Sequence, residues 1–229
     1  MCVIINNPSG KLLPIGKLHT AFMNNPHGVG FMWHEDGKVQ TIKALMGFND
    51  FMSLHEALEG IPHAIHFRWR TAGDTSDDRC HPFPVFTRER DGFDLYMMHN
   101  GTFEHFAKRA TGDKSDTQLF AESMRENIQK WNRPLDVLHP QVLNRIGRTI
   151  GGTNKILFMG SGGLTRIVNS NSGWFETDEG PQTFSTFDGG GELTWYSNKY
   201  SFIDDYRKRD KMEVKEDRYN ALRNVYGSY

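Results

Sequence analysis

The chain has little cysteine, no long apolar run and no excess of charge of either sign. Among its 229 residues only Cys2 and Cys80 are cysteines, too few for a disulfide framework, and nothing before residue 30 reads as a secretory signal, so a reducing cytoplasm is the expected compartment. No stretch approaches the roughly 18 apolar residues of a membrane helix. A formal net charge of -1 gives no global electrostatic case for nucleic acid or an anionic membrane as partner. The ten histidines lack zinc spacing. His63 and His66 stand three apart on an expected strand and so point to opposite faces, and no metal is expected. GSGGLT and GGGELT match neither a phosphate loop nor a dinucleotide fingerprint, so both read as turns and no cofactor is expected.

What remains is a polar globular chain, 37% hydrophobic and 24% charged, long enough to bury a sizeable core. CVII opens as a short strand before the turn-like NNPSGK. A helix is expected over Ile15 to Met23. NNPHGVGFMWHEDGKVQTIKAL reads as two strands around the hairpin signal Asp36-Gly37, with Gly28 and Gly30 as points where other backbone comes close. Asn49 to Leu58 has helical spacing, with Asn49 or Asp50 as cap. HAIHFRWR and FDLYMMHN read as strands, separated by the polar loop TAGDTSDDRCHPF. KSDTQLFAESMRENIQKW is the strongest helix, capped by Ser115 or Asp116, with Leu119, Met124, Ile128 and Trp131 as its apolar face. A second helix over about His139 to Thr149 leads into NKILFMGSGGLTRIVNSNS, read as strand, glycine turn, strand. TFDGGGELTWYSN reads as a loop and then a strand. Residues 204–229 are charge-rich and read as a surface helix, tail or docking segment beside a main domain over 2–203. The layout suits stacked sheets with helical outer layers.

Four stretches stand out when taken with Cys2. HFRWRTAG puts Arg68 near a strand end, CHPF follows in the next loop, MHNG puts Asn100 and Gly101 at another strand end, and KSDT puts Asp116 at a helix start. Each alone reads structurally, as an ion pair, a turn or a cap. Their order behind Cys2 resembles the class II glutamine amidotransferases of the N-terminal-nucleophile (Ntn) hydrolase superfamily. There a cysteine exposed by removal of the first methionine is followed by an R-[WY]-A-T segment, an H-P element, an H-N-G turn and an S-D-T helix start. The matching residues are Cys2, Arg68-Trp69-Arg70-Thr71, His81-Pro82, His99-Asn100-Gly101 and Ser115-Asp116-Thr117, and NNPHGVGFMW is similar to the family's early G-x-G strand.

The resemblance implies an α+β fold, a four-layer αββα sandwich of two antiparallel sheets between helical layers, with Cys2 at the start of a central strand. It also implies a glutaminase releasing ammonia from L-glutamine through a thioester on Cys2. The chemistry agrees with the residue types. A free thiol, with a pKa of about 8.5, needs a base, and an α-amine near 7.7 to 8.0 freed by loss of Met1 supplies one on the same residue. Asn100 and the Gly101 N–H would form the oxyanion hole, each donor typically worth about 3 to 4 kcal/mol. Arg68 would grip the α-carboxylate as a bidentate fork and Asp116 the α-ammonium. Trp69 and Thr71 would shape the pocket wall, and His81 is either a substrate contact or a turn residue.

The departures are Ala72, where several relatives carry histidine, Arg70 in place of alanine, expected to point away from the pocket, and Cys80, expected to be a passive thiol. No synthase domain is legible, so a separate ammonia-accepting synthase or ligase is the expected partner. Two other readings stay open: an N-terminal-cysteine hydrolase of another linear or γ-glutamyl amide, and a catalytically silent binding subunit.

Overall fold

The computed structural model of the chain describes residues 2–70, 75–88, 93–110, 114–130, 134–178, 180–183 and 192–199. Thr71, Ala72, Trp131 and the expected tail over 204–229 lie outside the described residues.

Among the described residues, eleven strands and five α-helices follow in the order β1 (Val3–Asn7), α1 (Ile15–Asn24), β2 (Val29–Glu35), β3 (Lys38–Ala44), α2 (Phe48–Ala57), β4 (His63–Phe67), β5 (Phe83–Arg88), β6 (Phe93–Asn100), α3 (Glu104–Ala107), α4 (Asp116–Ile128), α5 (Pro140–Ile150), β7 (Lys155–Gly160), β8 (Leu164–Val168), β9 (Trp174–Thr177), β10 (Gly180–Gln182) and β11 (Trp195–Tyr196). They build two antiparallel sheets, one ordered β10-β9-β11-β1-β4-β2-β3 and one β5-β6-β7-β8.

Strand alternation assigns each side chain to a layer. Val3 and Ile5 of β1, Phe31 of β2 and Ile65 and Phe67 of β4 face outward onto Leu18, Ala21 and Phe22 of α1 and Phe51 of α2. Ile4, Met32 and Ala64 face the other way and meet Met98, Leu157, Met159 and Ile167 of the second sheet. That sheet's far side, Leu95, Met97, Ile156 and Phe158, is covered by Ala121 and Ile128 of α4 and Leu143 of α5. Helices, sheet, sheet and helices therefore stack as the expected αββα sandwich, and all five residues of β1 are buried at its centre.

Local chemistry explains the elements. Asp36 and Gly37 both take positive φ (50° and 75°), as a two-residue hairpin requires when its turn follows the twist of its strands. Ser115 caps α4 in a reciprocal capping box with Gln118. The inward face of α4 differs from the expected one. Thr117, Phe120, Ala121, Met124 and Ile128 turn toward the sheet, while Leu119 is only half-buried. Gly47, not Asn49 or Asp50, precedes α2, and it makes no side-chain cap bond. The expected strand over residues 63–70 stops at Phe67. β5, β9 and β10 carry no clear alternation in the sequence and appear only through their pairing.

Gly30 leaves room for another stretch of backbone. A Cβ there would stand 1.6 Å from the His81 carbonyl oxygen, so the loop before β5 lies directly on the inner face of β2. Substituting Gly30 with alanine is expected to lower the thermal midpoint by about 6–10 °C, the cost of forcing backbone away from backbone. Gly16→Ala in α1, where a Cβ meets nothing within 4 Å, should instead stabilise by about 0.5 kcal/mol. Calorimetry of the two variants checks the contrast.

Candidate active site

The candidate residues gather where β1 begins and β4 and β6 end. Cys2 stands one residue before β1 and is half-buried. Just past the end of β4, the Trp69 N–H donates to the Cys2 Sγ at 3.3 Å. Arg68 still belongs to the ladder through its N–H to the Gly28 carbonyl at 2.9 Å. Its guanidinium is turned into the protein, with the residue 6% exposed and Nη1 buried without a hydrogen-bond partner. Burial raises the Cys2 thiol above its ordinary pKa, with the Trp69 N–H and the Arg68 charge pulling the other way and Asp116 adding to the rise. The thiol therefore rests protonated and needs a base to become a nucleophile.

A second strand end supplies Asn100 and Gly101. The Asn100 side chain points between the sheets, where its Nδ2 donates to the Ser197 Oγ at 2.7 Å and its Oδ1 is buried with no partner. Gly101 takes φ 145°, and a Cβ on it would sit 2.2 Å from the Asn154 Oδ1. Conformation and space thus both demand glycine there. Asp116, the first residue of α4, accepts from the Phe103 N–H at 2.7 Å through Oδ2, pinning the turn after β6 to the helix start.

His99 ties these pieces together from behind the sheet. Its ring stacks on Phe103 at 3.8 Å between centroids. Asn154 donates through Nδ2 to the Ile150 carbonyl at 2.6 Å, leaving its Oδ1 to accept from His99 Nε2 at 2.9 Å. That bond places the ring proton on Nε2, so Nδ1 accepts from the Thr117 hydroxyl at 2.9 Å. One neutral tautomer of His99 therefore links Asn100 to the residue beside Asp116.

Trp69 is half-buried, with its ring 4.8 Å from that of His27. Arg70 is exposed, and its N–H donates to the His27 Nδ1 at 2.9 Å. Cys80 is fully buried, and its thiol faces the Ala44 and Ser76 carbonyls. A Cβ on Gly28 would lie 2.2 Å from its sulfur. His81 is 5% exposed, its ring 3.9 Å from that of His66 and 4.7 Å from that of Phe83. Among the described residues no group of histidines, cysteines and carboxylates could hold a metal ion. No described helix is long and apolar enough to cross a membrane.

Two residues escaped the sequence reading. Ser197 accepts from the Ile4 N–H at 2.8 Å as well as from Asn100, and Asn198 donates to the Cys2 carbonyl. They follow a two-residue strand, and nothing local in WYSN distinguishes them from a turn.

No family model and no curated protein matches the sequence. Among solved structures, an allosteric regulatory enzyme of purine biosynthesis aligns over 88% of this chain with a TM-score of 0.53 at 16% identity. The chain has the Ntn-hydrolase fold. It spans 43% of the length of that enzyme. Other structural neighbours are a glutamine aminotransferase class-II domain protein from Silicibacter pomeroyi and a predicted glutamine amidotransferase from Pseudomonas aeruginosa. The first has 12% identity, a TM-score of 0.38, and coverage of 86% of this chain and 87% of that one. The second has 12% identity, a TM-score of 0.41, and coverage of 85% and 83%.

Burial holds the imidazoles of His66 and His99 down to about 3 and about 4, and His81 well below its ordinary value. All three stay neutral in the fold while the unfolded chain takes up protons below about pH 6.5. Their contribution to stability is therefore complete above that pH and is lost as pH falls toward 4, at about 1.4 kcal/mol per pH unit for each histidine. Urea unfolding at pH 7.5, 6 and 5 should show this decline, with a shallower slope for His66→Gln.

Proposed function

We propose that the chain is a glutamine amidohydrolase of the class II amidotransferase kind, using Cys2 as an N-terminal nucleophile once Met1 is removed. The observation that carries this reading is the buried Arg68 guanidinium, whose Nη1 has no partner, on the residue next to Trp69, whose N–H donates to the Cys2 thiol. A desolvated guanidinium beside a nucleophile suits a substrate that brings its own carboxylate.

In this reading Arg68 holds the α-carboxylate of glutamine. Asp116 takes the α-ammonium through Oδ1, since Oδ2 is bonded to Phe103. The Cys2 α-amine accepts the thiol proton and sulfur attacks the side-chain amide carbon. The oxygen that becomes negative is met by an N–H of Asn100 and by the backbone N–H of Gly101. The protonated amine then gives its proton to the departing nitrogen, the C–N bond breaks, and ammonia and a thioester result. Water attacks the thioester with the amine again as base, releasing glutamate and restoring the thiol. Trp69 and Thr71 belong to the pocket wall. His81, buried against His66 and Phe83, is in this reading a further substrate contact. The ammonia passes to a separate acceptor enzyme.

The raised thiol pKa supports the need for a base held on the same residue. A retained Met1 would acylate that base and stop the reaction.

The intact mass of protein from its native host, taken before and after treatment with a glutamine-analogue diazoketone, tests the reading. The expected result is loss of Met1 and gain of one adduct that Cys2→Ala does not form. Retention of Met1 throughout overturns it. Asn100→Ala should lower kcat by about 10²- to 10³-fold with little change in KM. Arg68→Lys, which loses the bidentate fork, should act mainly on KM. Ammonia-release kinetics read both.

A further inference from the structure

Ser197 lies outside every motif of the resemblance, yet it sits between the two groups on which the proposed reaction depends. It is fully buried. Its N–H donates to the Ile4 carbonyl at 2.9 Å, and its Oγ accepts from the Ile4 N–H at 2.8 Å. Both backbone groups of the residue two places after Cys2 are thereby held by this one serine. The same oxygen accepts from the Asn100 Nδ2 at 2.7 Å, across the gap between the sheets. The next residue, Asn198, donates to the Cys2 carbonyl. Residues 197 and 198 thus grip the nucleophile's strand and the oxyanion donor together.

We propose that Ser197 is a positioning residue that aims the Asn100 amide at the developing oxyanion. The proposal rests on the function proposed above. A primary amide nitrogen carries two hydrogens about 120° apart in one plane. Tying one to a fixed acceptor sets the direction of the other. Among the described residues the Asn100 side chain makes this hydrogen bond and no other, and its Oδ1 is buried without a partner. The amide plane has no second anchor. Ser197 is itself immobile because the Ile4 N–H occupies its other side, so the aim of Asn100 is referenced to the strand that begins at the nucleophile. Without the hydroxyl, the amide rotates about its last torsion and its free N–H no longer points at one place.

The test compares wild type, Ser197→Ala, Asn100→Ala and the double variant. Ser197→Ala is expected to lower kcat for glutamine about tenfold, with KM within about twofold. Alkylation of Cys2 by iodoacetamide should stay within about twofold, because the nucleophile itself is untouched. In the Asn100→Ala background the serine change should have no further effect. Equal losses in both backgrounds, an unchanged kcat, or alkylation slowed as much as turnover would each overturn the proposal. Should Ser197→Ala not fold, Ser197→Cys keeps the shape of the side chain, slightly enlarged, with a weak acceptor and is expected to show the same split. Hydrogen exchange of the Asn100 side-chain amide, followed by NMR, decides the matter independently of turnover. Slow exchange in wild type and faster exchange in Ser197→Ala support positioning, and equal exchange refutes it. Wild type without glutamine turnover overturns the proposed function, while the exchange measurement still reports whether Ser197 holds Asn100.

Discussion

A single serine oxygen joins the two sheets at the place where the chemistry gathers. The Ser197 Oγ receives an N–H from β1 and an N–H from the side chain that ends β6. The inner faces of the sheets also meet through Ile4, Met32, Met98 and Leu157 and through the hydrogen bonds of His34 to the Gly160 carbonyl and His66 to the His99 carbonyl. Apolar contact of that kind holds the layers at a distance but does not set their register along the strands. A hydrogen bond at 2.7 Å between fully buried groups does. It is directional, and breaking it leaves an unsatisfied amide in the interior. The relative placement of Cys2 and the Asn100 amide is held by that bond, and the clamp of Asn198 on the Cys2 carbonyl extends it to the first described residue.

Neutral histidines brace the site, His99 from behind its sheet and His66 from between the two sheets. His99 uses both ring nitrogens, one toward Asn154 and one toward Thr117. His66 reaches across the sandwich from β4 to the His99 carbonyl at 3.1 Å. Uncharged imidazole suits this work because it offers a donor and an acceptor at fixed angles without the cost of burying a charge. Arg68 is a buried charged group next to Trp69, whose N–H bonds the Cys2 thiol, and the neutral imidazole of His66 adds no charge to repel it.

Much of the scaffold was legible. The Asp36-Gly37 turn, the capping box at Ser115, the helices near 15–24 and 140–150 and the strand ending at Asn100 all follow from local rules that need no tertiary information. The order of Cys2, Arg68, Asn100-Gly101 and Asp116 also carried the fold. The errors lie where tertiary context overrides local pattern. HAIHFRWR loses its last three residues from the strand, and there the Trp69 N–H turns to the Cys2 thiol. Leu119 yields its place on α4 to Phe120 because the sheet lies on that side. β9 and β10 exist by pairing alone, at three or four residues each.

What the sequence determined by itself was which chemical groups are available and which local turns and caps present them, because propensity, capping and alternation act over a few residues. Only the tertiary structure decided which groups meet. Ser197 stands 193 residues from Ile4 and 97 from Asn100 along the chain, and His66 stands 33 from His99. Such contacts depend on how two sheets register against each other, and that register comes from the summed packing of side chains on both inner faces, which no short stretch of sequence contains.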